Sequence, residues 1–263
     1  MTNPIVGYPT ATTAFVLSGG AYQPAYPREN MQQDDLDQVA RTVDLLATSA
    51  FFYGVSAIPV DIGLVGLFGL NATIAASLRL RFWTDPTMAA PPILDTGSIP
   101  VFPYSRMADP HWVYWDGNNY SIRAFRIDLV DATNLAGFLD IGRLELAFAV
   151  ETGFGMNQGA QRGRLLRTGF NQTPGGMKYF RPLSSPRVLK ATFDADDPEM
   201  ADFYLEMLRI YDLYTPFIIM PNPDDRLRWN QSNMLARFTQ QSPMATWVAA
   251  TRGQIALEFE QVL

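Results

Sequence analysis

Residues 143–150 read Arg-Leu-Glu-Leu-Ala-Phe-Ala-Val and follow a turn glycine, Gly142. Apolar residues alternate with their neighbours along this stretch, which is the two-residue period of a half-buried antiparallel strand. The side chains predicted to face the core are Leu144, Leu146, Phe148 and Val150. Arg143 and Glu145 are predicted to point outward. The longer module around this strand, residues 120–150, contains no catalytic residue set, so it indicates a β-sheet scaffold.

The chain has 263 residues, 48% of them hydrophobic, which suffices for one large β domain or two small ones. No charged-then-apolar signal pattern opens the sequence, and the apolar run over residues 58–70 is too short and too rich in glycine to span a bilayer. We therefore expect no membrane partner and no secretion by the usual route.

The scarcity of chemically active side chains argues against an enzyme. The chain has no cysteine, which excludes disulfides, thiol nucleophiles and cysteine-bound zinc. Every imidazole relay or histidine metal site would have to use one residue, His111. We interpret His111 as structural and predict a non-enzymatic protein with neither metal nor cofactor.

The charge composition argues against nucleic acid as a partner. The net charge is −6, and only two of the twenty basic residues are lysines. A phosphate-binding surface needs clustered cations. The scattered arginines instead suit bidentate contacts within packed interfaces. The candidate interface residues among them are Arg162, Arg164 and Arg167 in a basic stretch.

The pattern along the chain predicts three regions. Residues 1–36 form an extended arm that orders against something else or remains a flexible tail. Residues 37–152 form a β-sandwich, with strands at 39–46, 50–56, 60–70 and 77–83 and a long surface loop over 85–110. The glycine-rich segment 153–176 then leads into an α+β domain over residues 153–263. Its helix, residues 198–214, has the apolar stripe Phe203, Met207, Ile210, Tyr211 and Tyr214.

Two sets of carboxylates are candidate sites. The first set lies at the start of a predicted helix and consists of Asp194, Asp196, Asp197 and Glu199. These carboxylates could bind a calcium ion or cap the N-terminus of the helix, and the capping role is favoured. The second set consists of Asp128, Asp131 and Asp140. These carboxylates could catalyse glycoside hydrolysis or stabilise turns and strand edges, and the structural role is favoured. Neither set therefore changes the non-enzymatic interpretation.

An aromatic strand over residues 111–115, with the turn that follows it, is the candidate ligand site. Aromatic faces stack on pyranose rings, although in an all-β core such side chains are more often buried. The candidate glycan contacts are Trp112, Trp115 and Tyr120.

Three tracts carry a resemblance to a known family. Residues 60–71 read VDIGLVGLFGLN and precede the strand at 77–82, while residues 134–144 contain Asn134, Gly137 and the tract Ile-Gly-Arg-Leu. This order resembles the galactose-binding-like, or discoidin-like, jelly roll of tailed-bacteriophage structural proteins.

The resemblance implies a mainly β protein, with a jelly-roll β-sandwich followed by a small α+β domain that has one main helix. It implies a structural subunit of the phage tail tip or baseplate, made in the host cytoplasm and located in the virion tail. The expected partners are other phage tail proteins and further copies, in a trimer or hexameric ring. Arg143 and Glu145 then become candidates for contacts between subunits. The alternative is a carbohydrate-binding module that recognises host surface glycans.

Overall fold

The protein is described by a computed structural model over residues 3–102, 111–152, 160–165, 168–172, 178–182, 185–195, 198–239, 245–249 and 252–262. The chain divides into two compact units. The first comprises Met1–Thr152 and Phe217–Leu235, and the second comprises Gly153–Pro216 and Ala236–Leu263. The predicted mainly β fold is confirmed, since strands form most of the regular structure.

The elements of the described residues are numbered along the chain. The strands are β1 Ile5–Thr10, β2 Val16–Ser18, β3 Ala40–Arg41, β4 Phe51–Ile62, β5 Leu64–Phe68, β6 Ser77–Trp83, β7 Leu94–Asp95, β8 Ile99–Pro100, β9 His111–Tyr114, β10 Tyr120–Val130, β11 Asp140–Ile141, β12 Arg143–Glu151, β13 Gln161–Arg164, β14 Thr168–Gln172, β15 Lys178–Pro182, β16 Arg187–Ala195, β17 Phe217–Met220, β18 Met234–Phe238, β19 Ala245–Ala249 and β20 Arg252–Gln261. The α-helices are α1 Pro198–Tyr211 and α2 Trp229–Ser232, and short 3₁₀ helices span Thr12–Ala14, Arg28–Gln32 and Arg226–Arg228. None of these helices is long and apolar enough to cross a membrane.

The first unit is a β-sandwich. One antiparallel sheet has the order β17-β1-β12-β5-β9, and the other has the order β2-β4-β10-β6-β7, with β8 beside β6. The apolar faces of both sheets contribute to one core, in which Leu67 and Leu144 of the first sheet join Phe52, Leu80 and Phe125 of the second. Burial of these faces is the main stabilising contribution.

The strand β12 is buried on both faces in its first half, which corrects the predicted outward position of Arg143 and Glu145. Glu145 is fully buried and Arg143 is 7% exposed. The guanidinium of Arg143 donates to Glu145 at 2.9 Å and to Asp34 at 2.6 Å. Alternation predicts only that one face is buried. Here the N-terminal segment, including Thr12, covers the other face as well.

The predicted extended arm over residues 1–36 is part of the first unit. Its strand β1 pairs with β12 and β17, and β2 pairs with β4. Phe15 and Met31 lie in the core with exposures of 2% and 0%. The arm is therefore ordered against its own chain. The predicted strand over residues 39–46 is reduced to β3, and part of the predicted loop over 85–110 pairs with β6 as β7 and β8.

The second unit has a sheet in which β20 pairs with β16, β19 and the last three residues of β18. The helix α1 packs its buried side chains Tyr204, Met207 and Tyr211 inward, and Tyr204 contacts Phe193 of β16. The helix ends at Tyr211, three residues before the predicted end, because Asp212 takes a left-handed conformation with φ +47°. Two members of the predicted apolar stripe, Ile210 and Tyr214, are exposed.

The predicted second domain, residues 153–263, differs from the structure in one respect. Residues 217–235 belong to the first unit, because β17 pairs with β1 and all four of its side chains are buried there. A short apolar run predicts a buried strand but does not identify the strand that pairs with it.

Candidate functional site

The turn after β9 carries the chain from one sheet of the sandwich to the other. The strand β9 pairs with β5, and β10 begins at Tyr120 in the second sheet. Both carboxylate oxygens of Asp116 are engaged within the turn. One accepts the backbone N–H of Asn118 at 3.1 Å, and the other accepts the Tyr120 hydroxyl at 2.7 Å. The carboxylate is therefore held in a fixed orientation.

Asn119 joins the same turn to β12 through two hydrogen bonds. Its side-chain N–H donates to the Ala149 carbonyl at 2.9 Å, and its side-chain oxygen accepts the Ala149 N–H at 2.8 Å. Gly63 makes this close approach possible. A Cβ on Gly63 would collide with the Asn119 oxygen and lie 2.7 Å from the Trp115 ring. The turn is thus held rigidly at the end of the sandwich.

A cleft of about 310 Å³ lies beside this turn, entirely within the first unit. Its walls come from the N-terminal strand, the turn, the end of β12 and the segment between β17 and α2. The lining residues are Ile5, Trp115, Asp116, Gly117, Glu151, Pro223, Asp224 and Arg226. The cleft therefore combines one indole ring, three carboxylates and one guanidinium.

The phenols near the cleft stay protonated at neutral pH. Burial, together with the hydrogen bond to Asp116, raises the pKa of Tyr120 to about 12. Burial and the nearby Asp116 charge also raise the pKa of Tyr114. The Tyr120 hydroxyl is therefore a permanent donor to Asp116. Within the described residues, no group of three or more His, Cys, Asp or Glu side chains could hold a metal ion.

An apolar groove of about 200 Å³ lies next to the cleft, and Arg226 lines both. Its lining residues are Ile99, Pro100, Trp112, Val113, Tyr114, Arg226, Leu227, Trp229 and Asn230. Trp112 and Tyr114 are stacked, with centroids 5.9 Å apart and an interplanar angle of 17°. The Arg226 guanidinium lies 5.5 Å from the Trp229 ring centroid, a cation–π distance.

The helix α2 forms the far wall of this groove and is fixed to the sandwich. The Asn230 side chain donates to the His111 carbonyl at 2.6 Å and to the Val101 carbonyl at 3.2 Å. The Trp229 indole N–H donates to the Pro223 carbonyl at 3.1 Å. The two Asn230 bonds are buried and hold the segment that carries Arg226 against Val101 and β9.

The three predicted glycan contacts have different positions. Trp115 lines the cleft. Trp112 is only 4% exposed and lines the groove. Tyr120 packs edge-on against Phe82 and supports Asp116. The structure thus places one of the three at the cleft itself and another next to it.

Sequence reasoning missed Glu151, Asp224 and Arg226. They come from segments separated by more than 70 residues and share no spacing pattern. The pairing of β17 with β1 and the Asn230 bonds to Val101 and His111 place the segment that follows β17 beside the turn. No signal in the sequence identifies that pairing.

The remaining candidates lie elsewhere. Arg162 and Arg164 are exposed on β13 in the second unit, where Arg164 donates to the Ser185 carbonyl at 3.0 Å. Arg167 lies outside the described residues. Arg143 and Glu145 are enclosed in the first unit, so the described members of the predicted interface set lie in different units.

Each of the three carboxylates has a partner within the first unit, but Asp128 lies in the central strand β10 and not at the predicted turn or edge. Asp128 pairs with Arg81 and Arg126, and Asp140 pairs with Arg41 at 2.7 Å. Asp131 is buried and accepts two hydrogen bonds from Thr73. Of the acids near the start of α1, residues 196 and 197 lie outside the described residues.

No model of a known protein family matches the sequence, and no curated protein is similar to it. Several solved structures are distantly similar. The CBM32 of AlyQ in complex with 4,5-unsaturated mannuronic acid has a TM-score of 0.36 and 12% identity, over 50% of this chain and 92% of that one. A CBM32 module from a family 31 glycoside hydrolase of Clostridium perfringens has a TM-score of 0.35 and 12% identity, over 54% of this chain and 96% of that one.

A Ruminococcus gnavus GH29 fucosidase in complex with fucose has a TM-score of 0.40 and 9% identity. The match covers 53% of this chain and 26% of the fucosidase, so this chain spans about a quarter of the length of that enzyme. The residues of the cleft, rather than these distant likenesses, carry the functional proposal.

The prediction of a phage tail-tip or baseplate subunit is wrong. The similar structures named above are carbohydrate-binding modules and a fucosidase, and none of these is a phage protein. Some of the residues that favoured an assembly role are also engaged within the first unit. The arm is paired with its own sheets, and Arg143 and Glu145 are buried.

Proposed function

We propose that the chain binds a carbohydrate in the cleft lined by Trp115, Asp116, Glu151, Asp224 and Arg226. The observation that carries this proposal is the convergence of an indole ring, carboxylates and a guanidinium from three distant segments on one cleft. A pyranose has apolar C–H faces and a rim of hydroxyl groups. An aromatic ring packs against the faces, while carboxylates accept from the hydroxyls and the guanidinium donates to them.

The hydrogen bonds around the turn support binding by preorganisation. Tyr120 and Asn118 orient the Asp116 carboxylate, and Asn119 fixes the turn that carries Trp115. Because these groups are already ordered in the free protein, binding costs less side-chain conformational entropy and the affinity is higher. The cleft therefore suits reversible recognition of a sugar.

The function is tested on a glycan array, followed by calorimetric titration of the sugars that bind. The expected result is specific binding by the whole chain, and its loss in Trp115→Ala with the circular dichroism spectrum unchanged. Tyr214→Ala is the matched control, because Tyr214 is 73% exposed and belongs to the second unit. Retained binding in Trp115→Ala would overturn the assignment of the cleft, and an array without any bound glycan would overturn the function.

The same experiment separates binding from hydrolysis. Asp116, Glu151 and Asp224 share the cleft, and glycoside hydrolysis uses a pair of carboxylates. We expect each bound oligosaccharide to be recovered intact after prolonged incubation. Release of a shorter sugar by the whole chain, abolished in Asp224→Asn, would instead identify a hydrolase.

A further inference from the structure

We infer that the apolar groove beside the cleft is a second subsite, which takes an apolar group attached to the bound sugar. This inference rests on the proposed function, because the sugar in the cleft determines where the attached group lies. The ligand class is then a glycoside with an aromatic or alkyl aglycone, rather than an unsubstituted sugar.

The two sites are continuous in the chain and in space. Tyr114 lines the groove, and the next residue, Trp115, lines the cleft. On the opposite side Asp224 lines the cleft, Leu227 lines the groove, and Arg226 lines both. A group attached to a sugar in the cleft therefore reaches the groove by passing Arg226.

The lining of the groove favours an apolar occupant. Its lining includes the rings of Trp112, Tyr114 and Trp229 and the aliphatic side chains of Ile99 and Leu227. The N–H donors of two lining side chains already have partners, since the Trp229 indole N–H and the Asn230 amide N–H groups bond to backbone carbonyls. Few polar atoms remain to bind a hydroxylated sugar there.

The size of the groove fits a ring. Its volume is about 200 Å³. An apolar cavity of roughly 150 Å³ in another protein binds benzene, so the groove is large enough for a six-membered ring. Leu227 is 65% exposed and Ile99 is partly exposed, so their apolar surface is available to a ligand. Covering that surface is favourable because apolar area leaves water.

The test compares methyl and phenyl glycosides, in both anomers, of the neutral sugar that binds best. Calorimetric titration of the whole chain should show the phenyl glycoside of one anomer binding about tenfold more tightly, the factor expected when on the order of 50–60 Å² of apolar surface is buried. In Leu227→Ala and Ile99→Ala this ratio should fall towards one, with the methyl glycoside bound as before. Leu205→Ala, at an exposed leucine of the second unit, is the matched control.

The outcomes separate the two proposals. Equal affinity for methyl and phenyl glycosides in both anomers would overturn the groove inference and leave the proposed function standing. A phenyl preference unchanged in Leu227→Ala and Ile99→Ala would also overturn it. Sedimentation of the whole chain as a dimer that dissociates in Leu227→Glu would assign the groove to a second copy instead. Failure of every glycoside to bind would overturn the proposed function itself.

Discussion

Individual side chains of the first unit show how burial changes the role of a charged residue. Glu145 looks like a solvent-facing residue in its strand, yet its side chain is fully buried. Arg143, Asp34 and Thr12 are the polar groups that face it. Burial, offset in part by Arg143, raises the pKa of Glu145 to about 7. The folded chain therefore retains a proton on Glu145 at pH values where the unfolded chain has lost it.

This retention predicts a pH-dependent stability that disappears in Glu145→Gln. The pKa of Glu145 is 4.5 in the unfolded chain and about 7 in the folded chain. The stabilisation that comes from protonated Glu145 is therefore complete below pH 4.5 and is lost as the pH rises through 7. The free energy of unfolding of the natural chain, minus that of Glu145→Gln, should decrease by about 1–3 kcal/mol between pH 5 and pH 8.

Denaturant unfolding of both proteins at several pH values measures this difference. The other carboxylates titrate in both proteins, so subtraction isolates Glu145. Glu258→Gln is the control, since Glu258 pairs with Lys190 at a partly exposed site. A difference that stays constant or increases across this pH range would contradict the raised pKa.

The position of the cleft depends on the close approach of the turn after β9 to the junction between β4 and β5. Gly63 lies between β4 and β5, beneath the turn that carries Trp115 and Asn119. The predicted strand over residues 60–70 corresponds to the end of β4 and to β5. Glycine is required at position 63 because a neighbouring side chain occupies the space of a Cβ.

We predict that Gly63→Ala weakens both the fold and sugar binding. The new methyl group must displace Asn119, which is held by two hydrogen bonds, or the ring of Trp115. Such overpacking costs about 1–3 kcal/mol. Thermal unfolding and titration with the bound sugar measure the two effects. Gly163→Ala is the control, since its Cβ would lie 3.6 Å from Val188; a Gly63→Ala protein as stable as that control would contradict the prediction.

At the scale of the whole molecule, the first unit is assembled from two stretches of chain. The segment Phe217–Leu235 supplies β17, α2 and three of the residues that line the cleft. A fragment that ends at Thr152 would lack Pro223, Asp224 and Arg226, and would leave the edge of β1 without its partner. The unit is therefore discontinuous in sequence, which the predicted boundaries did not anticipate.

We expect residues 1–152 alone to unfold at lower temperature and bind no sugar. Joining Thr152 to Phe217 through a flexible linker of about ten residues, and ending at Leu235, should restore both properties. Only β1 lies between β12 and β17, and such a linker spans that distance. Circular dichroism melting and titration against the whole chain measure the recovery. Full stability and binding in residues 1–152 would show that the segment is dispensable.

The sequence by itself determined the fold class and predicted one aromatic residue of the candidate cleft, Trp115. Alternation along β6 and β12 is a local pattern, since neighbouring side chains of a strand point to opposite faces, and the aromatic run before the turn identified Trp115. Only the tertiary structure decided what covers each face and which segments meet. The arm covers Arg143 and Glu145, and β17 brings Arg226 beside Trp115. Such pairings depend on complementary surfaces that are far apart in the chain, and the local periodicity of the sequence does not predict them.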